Sequence, residues 1–219
     1  LGWMKGTARR SLRRNLTGRS ISSVDPNLRA SFTDWEKRVE APEFWKLMAN
    51  PDFVSDEELW ALRYKLRREL IEFARRRLLI QRQRLTQGDF IAFDQLLNPD
   101  ALTIGFARRF ATYKRAPLIF QQFDNIVKLT RDRERPVQFV FAGKAHAKDY
   151  EGKELIRRII AVSHELSNRI PIVYMENYDL DLAKLIVSGA DLWLNTPQRP
   201  LEASGTSGMK AAQDRKSVV

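Results

Sequence analysis

Short, almost wholly apolar runs alternate with stretches of helical periodicity between residues 101 and 194, and few folds accept that alternation. The runs are Ala101 to Phe106, Val137 to Phe141, Ile170 to Met175 and Asp191 to Leu194. Between them lie three helical patterns. Pro117 to Lys128 turns Leu118, Ile119, Phe123 and Ile126 inward, and Gly152 to Leu166 turns Leu155, Ile156, Ile159 and Ile160 inward. Leu180 to Val187 is the third. Continuous apolar strands mark a sheet buried on both faces. Strand–helix alternation marks parallel strands joined by crossover helices. The expectation is an α/β fold, a Rossmann-like parallel sheet spanning residues 101–213.

Upstream, Ser55 and Glu58 form a capping box. They open a long helix expected over Asp56 to Gln83, closed by the Gln87-Gly88-Asp89 stretch. Leu59, Leu62, Leu66, Leu70, Phe73 and Leu78 make its apolar stripe. Arg63, Arg67, Arg68, Arg75, Arg76 and Arg77 are expected largely on its solvated face. Residues 56–100 are thus a helical segment and connection preceding the sheet. Residues 1–55 carry Arg9, Arg10, Arg13, Arg14 and Arg19 with no acid before Asp25, and read as a partly ordered basic linker. Short helical pieces are expected at Phe32 to Trp35 and Phe44 to Met48. Trp35, Trp45 and Trp60 are expected to be packing residues.

The chain has 219 residues, enough for one or two domains with a buried core. It has no cysteine, which excludes disulfides, a thiolate nucleophile and zinc–thiolate sites and favours a cytoplasmic setting. No apolar run is long enough for a membrane helix. The net charge of +11 is compatible with nucleic acid, acidic membranes or phosphorylated small molecules. Arginines on solvated helix faces account for it without a nucleic-acid or membrane partner.

In open parallel sheets, ligands bind beyond the carboxyl ends of the strands. Arg108 and Arg109 follow the first strand, Gly143 and Lys144 the second, and Glu176 to Tyr178 the third. After the fourth comes Glu202-Ala203-Ser204-Gly205-Thr206-Ser207-Gly208-Met209-Lys210. This glycine-rich run lets backbone approach a ligand and offers N–H donors to an anion. A helix beginning near Ser207 adds its positive dipole end. The spacing matches neither a Walker phosphate loop nor a dinucleotide fingerprint. It does not match a hydrolase nucleophile elbow either. What remains is an anion and polyol site with one amine at its end.

The run Glu202 to Lys210 resembles the cofactor segment of the α-glucan (glycogen, starch, maltodextrin) phosphorylases, and is most similar to the shorter bacterial type. Gly105 to Arg115 resembles that family's phosphate-binding segment. Phe141 to His146 and Glu176 to Asp181 fit two further blocks in the same order. The similarity extends from about Glu57 to Ala212. It implies the C-terminal Rossmann-like domain of a GT-B glycosyltransferase. The implied reaction is phosphorolysis of α-1,4-glucan by orthophosphate to α-D-glucose 1-phosphate, with pyridoxal 5'-phosphate as proton relay. By the same resemblance Lys210 is the Schiff-base lysine. Gly205, Thr206, Arg108 and Tyr178 hold the cofactor, and Arg108 stands where a lysine is common. Arg109 and Lys114 contact the reacting phosphates, while Glu202, Ser204 and the Gly205 backbone hold glucosyl hydroxyls. Lys144 and His146 match family positions without a defined role. Tyr113 is expected to pack, and His164 has no role. No metal is implied, and the full-length parent is expected to dimerise.

The resemblance ends after Ala212, where the family continues into a strand and further domain. One codon choice for Asp214 to Val219 reads as a common sequencing-adapter oligonucleotide, so residues 214–219 are expected to be a non-native tail. The gene is then truncated at both ends, the sheet lacks its last strands, and the isolated chain is expected to be inactive. Two rivals stand. One is a GT-B sugar-nucleotide glycosyltransferase of the glycogen-synthase kind, which does not need Lys210. The other is a non-enzymatic basic module that binds nucleic acid through the N-terminal arginines.

Overall fold

The computed structural model describes residues 55–85, 96–122, 125–126, 128, 134–202, 205–213 and 217–218. The expectations for residues 1–54, the helix stop at Gln87 to Asp89, and Ser204 lie outside the described residues. So do the inward placement of Phe123 and the assignments of Asp214 to Lys216 and Val219. The chain divides into two compact units, Leu1–Lys65 and Leu66–Val219. The described part of the first is the opening of helix α1, Asp56–Leu85. Trp60, expected to pack, is 66% exposed. Among the side chains described in α1, the first buried one is Leu66.

The second unit is built on a parallel five-stranded sheet. Its strands are β1 (Leu102–Ala107), β2 (Val137–Ala142), β3 (Ile172–Met175), β4 (Leu192–Trp193) and β5 (Ser217–Val218). They lie in the order β3-β2-β1-β4-β5, every pair parallel. That is the strand order of a doubly wound Rossmann-like sheet, whose order reverses between β1 and β4. Helices α2 (Tyr150–Glu165) and α3 (Leu180–Gly189) connect β2 to β3 and β3 to β4, and α4 (Thr206–Gln213) precedes β5. Asp149 and Asp179 cap α2 and α3, accepting from the Gly152 and Leu182 N–H groups at 2.8 Å each. A fifth strand was not expected: Ser217 and Val218 pair with Leu192 and Trp193 and extend the sheet past β4.

Alternate residues of each strand go to opposite faces, and both faces are apolar. Phe106, Phe139, Phe141 and Ile172 pack on one side with Ile159 of α2 and with Phe110. Ala107, Val140, Ala142, Val173, Met175 and Trp193 pack on the other with Leu70, Ile71, Ala74 and Leu78 of α1, Leu182 and Ile186 of α3, and Ala211 of α4. Hence the strands read as almost wholly apolar runs. The helix expected over Pro117 to Lys128 begins instead as a 3-10 segment, Ala116–Gln122. Pro117 has no N–H and restricts Ala116, while the Leu118 N–H returns to the Arg115 carbonyl three residues back at 2.9 Å.

The arginines of α1 also depart from expectation. Arg67 is buried, one and two turns before the fully buried Ile71 and Ala74 on the inward face. Its guanidinium donates to Asp191 Oδ2 at 2.9 Å and to the Pro99 carbonyl at 2.6 Å. The same Asp191 oxygen accepts the Thr103 N–H at 2.9 Å. Gln138, also buried, donates to Thr103 Oγ1 at 2.7 Å and exchanges two bonds with the Asn98 backbone. A satisfied polar network thus fixes the amino end of the sheet to α1. Arg75 reaches the Leu97 carbonyl at 3.1 Å, and Arg77 reaches Asp179 at 2.7 Å.

Burial separates the Arg67–Asp191 pair from the exposed Arg68–Glu72 pair on the same helix. Asp191→Ala is expected to cost about 3 kcal/mol and Glu72→Ala less than about 0.5 kcal/mol, because only the former breaks a buried ion pair. Urea unfolding measures both, and equal losses would contradict this reading.

Candidate anion and cofactor site

The sheet ladder runs past the ends of β1 and β2 and delivers the first cations. The Arg108 N–H donates to the Ala142 carbonyl at 3.2 Å and the Phe110 N–H to the Lys144 carbonyl at 3.0 Å. Gly143 lies between them at φ 153, where a Cβ would fall 2.0 Å from the Arg108 carbonyl oxygen. Only glycine fits that approach. Phe110 is fully buried and anchors the segment to the aromatic face of the sheet. Arg108 therefore leaves the sheet buried, whereas Arg109 is exposed.

A second segment is bound to this one by its backbone. Thr196 Oγ1 donates to the Lys114 carbonyl at 3.0 Å, the Gln198 N–H to the Tyr113 carbonyl at 2.7 Å, and Arg115 Nε to the Thr196 carbonyl at 2.9 Å. These bonds hold residues 196–198, beyond β4, against residues 113–115. They also set Glu202 beside both buried cations. Arg108 donates to Glu202 Oε1 at 2.5 Å and Lys114 Nζ donates to the same oxygen at 3.0 Å. The side chains of Arg108, Lys114 and Glu202 are 5%, 10% and 11% exposed. At that burial the pairing matters far more than a surface ion pair does. Among the described residues, Arg108 Nε and Glu202 Oε2 are buried without a hydrogen-bond partner.

Tyr113 links the exposed Arg109 to this cluster. Burial pushes its phenol up, but hydrogen bonds from Lys114 and Arg109 outweigh that and hold it below its ordinary value. Lys114 Nζ also lies 4.9 Å from the Tyr113 ring centroid. Tyr113, expected to pack, is thus part of the cation cluster. Tyr178 arrives from the loop after β3 and donates its hydroxyl to the Ala107 carbonyl, next to Arg108, at 3.3 Å. Burial raises the Tyr178 pKa and keeps the phenol protonated; Arg108 opposes this and Asp179 adds to it.

The glycine run lies against the same groups. A Cβ on Gly205 would come 3.1 Å from Asn195 Oδ1, 3.3 Å from an Arg108 nitrogen and 3.4 Å from Glu202 Oε1. Helix α4 begins at Thr206, one residue before the expected start, and the Met209 N–H bonds the Gly205 carbonyl at 3.1 Å. Ala211 is buried in the core and orients the helix. Thr206 and Lys210, four residues apart, share another face. Burial lowers the Lys210 pKa and raises the fraction of neutral amine at a given pH.

Arg108, Lys114 and Glu202 are therefore joined by ion pairs with Gly205 against them, Tyr178 bonds the carbonyl that precedes Arg108, and Arg109 joins through Tyr113. Thr206 and Lys210 stand on the helix that leaves Gly205. Lys144 and His146 are exposed on the loop after β2, and His164 is exposed on α2. Asn195 went unnoticed in the sequence. It is the first residue after the apolar run of the fourth strand, and it contacts Arg108 and both glycines of the run. The donor set fits a phosphate-bearing cofactor with an aldehyde: a buried guanidinium with an unused N–H, a glycine cradle at a helix start, and a lysine with a lowered pKa. The described residues include no group of three or more histidine, aspartate or glutamate side chains that could hold a metal ion. No helix among them is long and apolar enough to cross a membrane.

Comparison with known proteins places the chain in a family. The family model described as carbohydrate phosphorylase matches residues 79–215. The chain is 43% identical over 177 residues to a maltodextrin phosphorylase of Thermococcus litoralis, covering 81% of this chain and 21% of that protein. It is 41% identical over 172 residues to a glycogen phosphorylase of Aquifex aeolicus, covering 78% and 24%. With a glycogen phosphorylase of Mycobacterium tuberculosis it shares 39% identity over 176 residues, covering 80% and 20%. The matched region thus spans between a fifth and a quarter of the length of these curated relatives. On the family match and these identities, the chain belongs to the carbohydrate phosphorylase family.

Proposed function

We propose that this chain forms the cofactor- and phosphate-holding wall of an α-glucan phosphorylase of GT-B architecture. The reaction proposed is phosphorolysis of α-1,4-glucan by orthophosphate to α-D-glucose 1-phosphate, carried out in the cytoplasm. One observation carries the reading: a buried arginine, with an N–H to spare, faces a glycine run that leads into a helix bearing a lysine of lowered pKa.

When bound, pyridoxal 5'-phosphate supplies a phosphate group as a proton relay. Lys210 holds it covalently, favoured by the burial that leaves more of its amine neutral. Arg108, the Gly205 N–H and Thr206 hold its phosphate at the positive start of α4. Tyr178, kept protonated, offers a phenol proton beside Arg108. Arg109 and Lys114 hold the substrate phosphate. Unit charges ~4 Å apart repel by about 4 kcal/mol at an effective dielectric of ~20, so two phosphates side by side require such cations. Glu202, with a carboxylate oxygen unmatched in the described structure, accepts from a glucosyl hydroxyl. Ser204 and the Gly205 backbone complete that contact.

Cofactor capture tests the proposal. The chain is incubated with pyridoxal 5'-phosphate, reduced with borohydride and digested, with Lys210→Ala alongside. Label confined to Lys210 and absent from the variant is the expected result; label scattered over surface lysines and unchanged by the substitution would overturn it. The same labelling run across pH carries a second prediction. Because burial lowers the Lys210 pKa, its capture should be half-maximal at lower pH than that of a free model amine, Nα-acetyl-lysine amide, under the same conditions. Coincident profiles would contradict the burial argument.

A further inference from the structure

We infer that Asn195 is a positioning residue for the anion site: it aims the Arg108 guanidinium and fixes the glycine run against it. The inference rests on the pyridoxal phosphate reading above and assigns a role to a residue outside the proposed binding set.

Asn195 lies two residues past the end of β4, at the point where the strand order reverses between β1 and β4. The Leu194 N–H bonds the Gly105 carbonyl of β1 at 2.9 Å, so the backbone delivering Asn195 is part of the sheet ladder. Its amide oxygen accepts from Arg108 NH1 at 2.8 Å. A guanidinium has donors only, so the oxygen, not the amide nitrogen, must face it. Glu202 holds the other terminal nitrogen, NH2. With both terminal nitrogens engaged from different loops, the plane of the guanidinium is set. Nε is the guanidinium nitrogen left without a partner.

The other side of Asn195 faces the glycine run. A Cβ on Gly208 would meet Asn195 Cγ at 3.1 Å, Oδ1 at 3.3 Å and Nδ2 at 3.4 Å, and one on Gly205 would meet Oδ1 at 3.1 Å. The amide is thus a spacer between the arginine and the start of α4, and each glycine makes room for it. Asn195 and Glu202 divide the work. Glu202 supplies charge to Arg108, whereas Asn195 orients the guanidinium without neutralising it. Neutral orientation matters here, since a second carboxylate on Arg108 would cancel the attraction an incoming phosphate needs.

The test compares pyridoxal 5'-phosphate with pyridoxal, which keeps the aldehyde and lacks the phosphate. Both are titrated by absorbance into the full chain and into Asn195→Ala and Asn195→Asp. In Asn195→Ala the preference for the phosphate form should fall at least about tenfold while pyridoxal affinity stays the same, as expected for a misdirected charge-assisted hydrogen bond. Asn195→Asp nearly keeps the shape, so its melting temperature should stay near that of the parent. Its phosphate preference should fall at least as far, because the new carboxylate neutralises Arg108. Variants that keep the parent's preference would overturn the inference with the cofactor reading intact. Parallel loss of both ligands would reduce Asn195 to a structural residue and also overturn it. A parent chain that does not distinguish the two ligands would instead remove the cofactor-phosphate reading, and the inference with it.

Discussion

Two cations buried side by side after β1 cannot persist without a counter-charge, and Glu202 supplies it. One of its oxygens accepts from both Arg108 and Lys114. Removing such a carboxylate from a site this buried leaves uncompensated charge in a medium that screens poorly. The pairing also joins parts of the chain that are 94 and 88 residues apart in sequence. The bonds to backbone carbonyls from Thr196 Oγ1, the Gln198 N–H and Arg115 Nε close the same junction from outside. A rigid rim results, with a guanidinium N–H and a carboxylate oxygen both unmatched among the described residues. In the proposed function those two atoms would meet a phosphate and a hydroxyl.

Polar anchors elsewhere divide between stability and placement. At the amino end of the sheet, Arg67, Asp191, Thr103 and Gln138 satisfy one another and hold α1 to β1 and β4. At the carboxyl end, α1 grips the loop after β3. Gln81 bonds the Tyr174 carbonyl and the Glu176 N–H at 3.2 Å each, and Arg77 takes the Asn177 carbonyl at 3.2 Å and Asp179 at 2.7 Å. That loop carries Tyr178 to Ala107. Tyr174 from β3 donates to the Gly143 carbonyl at 2.8 Å, and burial pushes its phenol up to about 12. The long helix is therefore part of the site's scaffold, although it contributes no group to the proposed chemistry.

The sheet was legible in sequence because burial on both faces prints an almost wholly apolar run, as in Val137 to Phe141, where Gln138 alone is polar. The rim was legible because a general rule puts ligands beyond strand ends, and the family resemblance then gave roles to Arg108 and Lys210. What stayed hidden has a common cause. Arg67 and Arg77 looked like solvated cations, since partners such as Asp191 and Asp179 lie more than a hundred residues away and leave no local pattern. Asn195 was passed over for the same reason, as its partner Arg108 is 87 residues distant. The 3-10 segment at Ala116 was a local miss, because Pro117 was read as a helix start without weighing its effect on the preceding residue.

A double-mutant cycle between Arg108→Met and Glu202→Gln, read by urea unfolding, tests the central pairing most directly. The account predicts a coupling above about 1 kcal/mol, since the two side chains share one buried contact and each single substitution strands a charge. Stability changes that add within about 0.5 kcal/mol would mean that the carboxylate does not hold the arginine. The anion site would then need another organiser.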